Sequence, residues 1–266
     1  MGRLRFGALT LIALAVAGSS AAACQMPPHK TTQMPQTVRL AEDSSTVAGA
    51  WFDGPSTIYP HGILGDAIEP TVLAAYSPHA KSSCGDIRAA SGSDHVFEDV
   101  APRQIDLDND GTPEIIVVRT HLKKGAQLAI YKDTRDGLLT LIATTPYIGR
   151  RNRWLAPIGA ADLDGDGTIE IAYIDRPHLA KILRVWRFQK DTLTEIAQMS
   201  GLTNHRIGES DIGGGIRTCA GAPEMVVASA DWSQIMLVRL SEGKLSSTPW
   251  GPHRGRESFA RALSCS

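Results

Sequence analysis

Apolar residues in the body of the chain form short runs that alternate with polar positions, and turns rich in glycine and aspartate separate the runs. Clear examples are residues 127–131, 182–188 and 235–240. A two-residue period is typical of strands with one buried face, whereas a helix would repeat its apolar positions every three or four residues. The pattern therefore predicts an all-β fold.

The predicted strands belong to a repeated unit. Four segments share a turn, a glutamate and then an apolar run, and they cover residues 62–75, 106–118, 162–174 and 216–228. Their aligned glutamates, about 50 residues apart, are Glu69, Glu114, Glu170 and Glu224. Three or four strands in a unit of this length are typical of the blades of a β-propeller.

We therefore predict a small β-propeller over residues 37–266, with five blades as the first choice and four as the alternative. The fifth blade would be shared, because residues 258–265 follow the fourth unit and residues 37–59 precede the first. A ring of blades leaves no free edge only if its two ends meet. The N-terminal and C-terminal strands are thus expected to pair and close the ring.

The first 36 residues have a different character. Arg3 and Arg5 precede an apolar run over residues 6–18, and small residues follow up to Ala23. This order predicts a secretory signal peptide over residues 1–23, with an uncleaved membrane anchor as the alternative. Residues 24–36 are rich in proline, threonine and glutamine and predict a flexible leader. The mature protein is then periplasmic or extracellular, without a transmembrane span.

Cys24 would be the first residue after cleavage, so both a lipid anchor through Cys24 and a soluble secreted form stay open. Lipoprotein signals usually carry leucine where Ala21 stands, which favours the soluble form. The remaining cysteines are Cys84, Cys219 and Cys265. An oxidising compartment predicts one disulfide among the cysteines, and the sequence does not determine which pair forms it.

Two turns carry the clearest chemistry, because residues 106–114 and 162–170 both have the pattern Asp-x-Asp-x-Asp-Gly-x-x-Glu. Alternate side chains of a tight loop point to one centre, and Ca²⁺ takes six to eight oxygen ligands there. Four carboxylates this close repel one another without a cation. Magnesium requires a stricter octahedron, and zinc prefers histidine or cysteine ligands. A solvated acidic turn without an ion is the alternative.

We therefore predict two calcium sites, in each of which threonine contributes its main-chain carbonyl. The predicted ligands are Asp106, Asp108, Asp110, Thr112 and Glu114 in the first loop, and Asp162, Asp164, Asp166, Thr168 and Glu170 in the second.

The two loops differ from an EF-hand, because the glutamate is the ninth residue and a strand follows it. They resemble the FG-GAP or VCBS-type repeats, which are related to the propeller repeats of integrin α chains. The resemblance extends over residues 96–188 and implies that each loop joins two adjacent strands of a blade and binds calcium through the residues named above. Members with seven blades are longer than this chain. The aspartate positions are replaced in the first unit by His61, Ile63 and Gly65, and in the fourth by Ile216, Thr218 and Ala220.

Charge narrows the choice of partner. With 27 basic and 28 acidic residues, the chain is nearly neutral and offers no argument for nucleic acid. Arg153, Arg206 and Arg256 recur at the ends of successive units, so a symmetric ring would place them on one rim that binds anions such as acidic glycans. The alternative is that each arginine pairs with an acidic neighbour or is solvated.

The functional prediction is a non-catalytic binding or scaffold module for a protein or glycan partner. No Gly-x-Ser-x-Gly motif is present, and the sequence offers no convergent set of catalytic residues. The alternative is a propeller enzyme, a hydrolase or lyase acting on a saccharide at the central funnel.

Overall fold

The computed structural model describes residues 32–40, 49–82, 85–219 and 221–265. These residues form eighteen strands and one α-helix, which confirms the all-β prediction. No helix in this part of the chain has the length and apolarity that a membrane crossing requires. The predicted signal peptide, Cys24 and Cys84 lie outside the described residues.

The first two sheets are antiparallel and follow one another along the chain. The first has the order β1-β2-β3-β4, with β1 at Arg39–Leu40, β2 at Gly49–Ser56, β3 at Glu69–Tyr76 and β4 at Asp86–Ala90. The second comprises β5 at His95–Phe97, β6 at Arg103–Ile105, β7 at Glu114–His121, β8 at Gly125–Asp133 and β9 at Leu139–Thr144. Both β5 and β6 pair with β7, and the order continues to β8 and β9.

The third and fourth sheets repeat this arrangement. The third has β10 at Leu155–Ala161, β11 at Glu170–Asp175, β12 at Ile182–Gln189 and β13 at Thr192–Ser200, in chain order. The fourth has β14 at Leu202–Thr203, β15 at Gly215–Arg217, β16 at Glu224–Ser229, β17 at Gln234–Ser241 and β18 at Lys244–Pro252. Here β14 and β15 both pair with β16, and helix α1 at Arg256–Leu263 follows β18.

The predicted repeat alignment is confirmed at the glutamates. Glu69, Glu114, Glu170 and Glu224 are the first residues of β3, β7, β11 and β16. Each of these strands lies in the interior of its sheet and is almost entirely buried. Every unit therefore places one carboxyl group at the start of its most buried strand.

The sheets pack face to face, and the alternation of side chains along β7 shows how. Ile115 and Val117 belong to the apolar cluster shared with the first sheet, whereas Ile116 and Val118 belong to the cluster shared with the third sheet. A third cluster joins the third and fourth sheets. Strands buried on both faces form continuous apolar runs, which explains why these segments look so uniform in the sequence.

The C-terminal end departs from the prediction. Residues 258–265 do not supply a strand, because α1 covers most of them and buries Phe259 and Ala262 against Val226 and Ala228 of the fourth sheet. The burial of side chains three residues apart is typical of a helix. On the N-terminal side, β1 and β2 belong to the first sheet. The described residues thus form four sheets, and the five-blade count and strand-paired closure remain predictions.

One cavity is lined by residues from all four units. Its volume is about 470 Å³, and its lining includes Arg39 of β1, Arg103 of β6, Ile158 of β10 and Ile212 between β14 and β15. Residues from every unit therefore lie side by side around this cavity, which agrees with a propeller-like arrangement of the sheets.

Candidate metal centre

The first acidic loop connects β6 to β7 and turns by hydrogen bonds to its own carboxylates. Asp106 accepts hydrogen bonds from the amides of Asp110 at 3.1 Å and Gly111 at 2.9 Å. Gly111 has a φ of 82°, a conformation in which a side chain would be strained. Glu114 is fully buried and accepts a hydrogen bond from the Leu107 amide at 2.9 Å. The first and last carboxylates of the motif thus close the turn.

The second loop connects β10 to β11 and repeats this geometry. Asp162 accepts hydrogen bonds from the amides of Gly165 at 2.8 Å and Gly167 at 2.9 Å. Glu170, again fully buried, accepts one from the Leu163 amide at 2.9 Å. The two turns share the bonds from the sixth-position glycine to the first aspartate and from the leucine to the glutamate, and they differ in the other amide that the first aspartate binds, Asp110 in one and Gly165 in the other.

Carboxylate oxygens converge in both loops. One oxygen from each member of a group lies within 4.8 Å of the others, and the two groups are Asp106, Asp108 and Glu114, and Asp162, Asp164 and Glu170. The structure brings together these three predicted ligands in each loop. Asp110 and Asp166 are not members of the groups, and the side chain of Thr112 accepts a hydrogen bond from Arg135 at 3.0 Å.

A basic side chain that the sequence analysis did not predict lies among the carboxylates of the first loop. Lys132 projects from β8, and its Nζ lies 2.6 Å from Oδ2 of Asp108, 3.0 Å from Oδ2 of Asp110 and 2.9 Å from Oε1 of Glu114. Its ammonium group is therefore close to the point where the side chains converge.

Arg187 of β12 has the same place in the second loop. Its Nη2 lies 2.8 Å from Asp164 and 2.9 Å from Asp166, and its Nε lies 2.8 Å from Glu170. Glu170 and Arg187 are direct partners across β11 and β12. The pairing is thus set by strand register.

A signal for these partners is present in the sequence. Lys132, Arg187 and Arg239 each interrupt or end the apolar run of the second long strand in their unit. A charge inside an otherwise apolar run requires a partner when it is buried. Identifying that partner requires the antiparallel register, which connects positions 15 to 18 residues apart.

Burial dominates the electrostatics of the two buried glutamates. It raises the pKa of Glu114 and of Glu170, although Lys132 and Arg187 oppose the shift. Burial also acts to lower the pKa of Lys132, but hydrogen bonds to Asp108 and Glu114 outweigh it, and the pKa is raised. The first loop sets four carboxylates against Lys132 and, at 3.9 Å from Asp110, Arg135, and the second sets four against Arg187, so negative charge remains in excess in both.

The turn of the fourth unit uses different chemistry. Glu224 pairs with Arg217 at 2.7 Å and with Arg239 at 2.7 Å. The two arginines outweigh the opposing effect of burial and lower the pKa of Glu224. In the same turn, Cys219 forms a disulfide with Cys265, which follows α1. One disulfide was predicted, and the fold selects this pair.

The first unit neutralises its glutamate in a third way. Glu69 is buried, and burial, followed by the neighbouring carboxylates of Glu98 and Asp66, raises its pKa to about 9. No basic side chain forms an ion pair with it among the described residues. Glu69 therefore holds a proton where the equivalent glutamates face a cation.

The three predicted rim arginines have separate surroundings. The Arg206 guanidinium lies 4.3 Å from the ring centre of Trp232. Arg256 pairs with Asp211 and, at 3.5 Å, with Glu209. Arg153 donates to the carbonyl of the preceding residue at 2.8 Å. A shared anion-binding rim stays a prediction.

The region that contains the two acidic loops matches a known protein family. Residues 106–173 match the family model of the FG-GAP-like repeat. The match begins at the first aspartate of the first loop, contains both acidic loops, and lies inside the region in which the resemblance was predicted. The resemblance is thereby confirmed for this part of the chain. No curated protein matches the chain significantly.

Proposed function

We propose that this protein is an exported, calcium-stabilised module with FG-GAP-like repeats that binds a protein or glycan partner without catalysing a reaction. The excess of negative charge in the two acidic loops carries the calcium part of the proposal. Lys132 and Arg135 leave two of the four carboxylates of the first loop without a cation, Arg187 leaves three in the second, and a divalent cation would neutralise two in each. All the converging donors are oxygens, which calcium prefers.

Lys132 and Arg187 would compete with calcium for the same carboxylates. Their side chains are 19% and 28% exposed, so both have a path to solvent. A long basic side chain can keep its stem on the strand while its charged end moves into water. Calcium would then connect the turn to the strand that follows it, and its contribution would be structural.

Export is supported by two observations of different kinds. The N-terminal sequence has the order of a signal peptide, and the Cys219–Cys265 disulfide suits an oxidising compartment. We propose a periplasmic or extracellular location, either soluble or anchored through Cys24.

The partner part of the proposal draws on the architecture. Connecting turns on a rigid framework of sheets commonly carry binding residues. Arg153 and Arg206 lie in such connections, Arg256 begins α1 directly after one, and all three would suit an acidic glycan.

Thermal unfolding in the presence of calcium or a chelator tests the metal sites. Calcium should raise Tm, because an ion that binds only the folded state adds about 2.7 kcal/mol per site at 100 times its Kd. The double variant Asp108→Ala with Asp164→Ala should lose this shift. Equal Tm values for the wild type with calcium and with chelator would refute calcium stabilisation.

A matched control removes carboxylates elsewhere. Glu242→Ala with Glu257→Ala deletes two exposed acidic side chains of the C-terminal region and should keep the calcium shift.

A binding assay on an acidic polysaccharide tests the rim. Reversing Arg153, Arg206 and Arg256 to glutamate should abolish retention, whereas unchanged retention would remove the rim from the proposal.

A further inference from the structure

A second cavity lies where connections from several sheets meet. Its volume is about 320 Å³, which is within the range of small-molecule sites. Its lining includes His61 between β2 and β3, Arg153 and Trp154 before β10, His178 between β11 and β12, and Ile207 between β14 and β15. We call it the His61–His178 pocket.

The mouth of this pocket has an apolar surface that faces water. Leu179 is 63% exposed and Ile207 is 69% exposed, whereas Ile63 is buried. Single exposed aliphatic side chains are ordinary, but here two border one concave site. A ligand with an apolar part would cover them.

The two histidines of the pocket are each held by one ring nitrogen. Nδ1 of His61 contacts Oε1 of Glu98, and the fully buried Glu98 also accepts a hydrogen bond from Thr120 at 2.8 Å. Nε2 of His61 is therefore the nitrogen available to a ligand. No other hydrogen bond to this ring occurs within residues 32–40, 49–82, 85–219 and 221–265.

The second histidine of the pocket is His178, and its tautomer follows from its hydrogen bond to His205 behind it. Nε2 of His205 lies 2.9 Å from the Glu209 carbonyl, which can only accept, so this nitrogen carries a proton. Burial lowers the pKa of His205 and lowers that of His178 to about 4, so both rings are neutral near pH 7. Nδ1 of His205 is thus an acceptor, and Nε2 of His178 donates to it at 3.1 Å. Nδ1 of His178 then presents a lone pair.

Arg153 supplies positive charge at the same pocket. Arg176, which also lines the pocket, is already paired with Asp175 through two hydrogen bonds. Arg153 has no ion pair within the described part of the chain, and the only hydrogen bond of its guanidinium group there is to the Asn152 carbonyl. Most donors of its guanidinium are left for an anion.

We infer that the His61–His178 pocket binds a small organic carboxylate that has an apolar chain and a hydrogen-bond donor. The carboxylate pairs with Arg153, the apolar chain lies against Leu179 and Ile207, and the donor faces the lone pair of His178. Each of the three features of the ligand matches one feature of the pocket. This assignment is independent of the calcium loops.

Titration calorimetry with three probes tests the ligand class. N-acetyl-leucine carries all three features, N-acetyl-leucinamide lacks the negative charge, and acetate lacks the apolar chain and the donor. Because a hydrogen bond to a charged group contributes more than a neutral one, N-acetyl-leucine should bind at least about tenfold more tightly than either of the others. Equal affinity for the acid and the amide, or the absence of saturable binding by the acid at millimolar concentration, would overturn the inference.

Variants then test the residues. Arg153→Gln should weaken N-acetyl-leucine about tenfold and leave N-acetyl-leucinamide unchanged. Arg261→Gln, at an exposed arginine of α1, is the matched control and should bind the acid like the wild type. Wild-type affinity in Arg153→Gln would contradict the assignment of the carboxylate. The probe comparison in the wild type tests the inference even if a variant fails to fold.

Discussion

The turn before β7 and the turn before β16 occupy the same place in the repeat, yet different forces hold them. Before β7, three of the four carboxylates contact Lys132, and the turn has more negative charge than the protein neutralises. Before β16, Glu224 lies between two arginines, and the Cys219–Cys265 disulfide fastens the turn. The same position in the repeat is therefore held by hydrogen bonds and ion pairs in one unit, and by ion pairs and a covalent bond in another.

The pairing of a strand-initial glutamate with a basic residue is more widespread than the aspartates. It occurs in the second, third and fourth units, whereas the three aspartates occur in the second and third alone. The ion pair satisfies the buried glutamate in all three units. Asp106 and Asp162 also accept the hydrogen bonds that close their turns, but the aspartates together bring more negative charge than the basic partner neutralises, which is why they point to a ligand.

Removing the disulfide should have the largest effect. For Cys219→Ser with Cys265→Ser, we expect the free energy of unfolding to fall by about 4 kcal/mol, since the bond closes a loop of 46 residues in the unfolded chain. Urea unfolding, carried out once with calcium and once with a chelator, measures this loss of stability. The loss should be the same in both, because the fourth turn lacks the aspartates. A loss of the calcium shift in this variant would show that the two turns do not act independently.

Removing the basic partners should have a smaller effect that depends on calcium. Lys132→Met with Arg187→Met should lower stability in chelator by about 1–3 kcal/mol, because buried glutamates lose their partners. In calcium the loss should disappear and calcium affinity should rise, because no cation competes for the carboxylates.

Arg239→Met is the matched control for that variant. It removes the equivalent basic residue of the fourth unit and should lower stability equally in calcium and in chelator. Weaker calcium binding in Lys132→Met with Arg187→Met would mean that the basic side chains support the metal sites.

The last effect is on the pH dependence of stability, and it concerns the glutamate without a basic partner. The pKa of Glu69 is raised from about 4.5 to about 9, so the folded state keeps a proton that the unfolded state releases. Its contribution to stability is therefore full at low pH and falls as pH rises between these values. In Glu69→Gln, unfolding should release about one proton fewer between these pH values, so stability should fall less steeply as pH rises.

Glu224→Gln should change the pH dependence of stability in the opposite direction. The folded pKa of Glu224 is lowered, so its contribution is present above the unfolded pKa and is lost as pH falls. Denaturant unfolding across the pH range distinguishes the two variants. An unchanged slope between pH 5 and 9 in Glu69→Gln would show that Glu69 is ionised in the folded protein.

Local sequence was sufficient for several features. The period of apolar residues predicted the strands, and the spacing of the glutamates predicted that each begins a buried strand. The acidic loops were predicted with their turn, because neighbouring residues such as Asp106 and Gly111 determine its hydrogen bonds.

Other features depend on residues that are distant in the chain. The position of Lys132 opposite Glu114 depends on strand register, and residues 258–265 form a helix because Phe259 and Ala262 pack against the fourth sheet. The His61–His178 pocket is assembled from four connections, none of which has a distinctive motif.

The sequence by itself thus determined the repeat, the strands and the two acidic turns, since short-range periodicity and turn chemistry act among neighbours. Tertiary structure alone decided which cation each glutamate faces, which cysteines pair, and where Arg153 meets the two histidines. Those contacts form only after strands and turns separated by tens of residues pack together, and the energy of that packing is not encoded in any one segment.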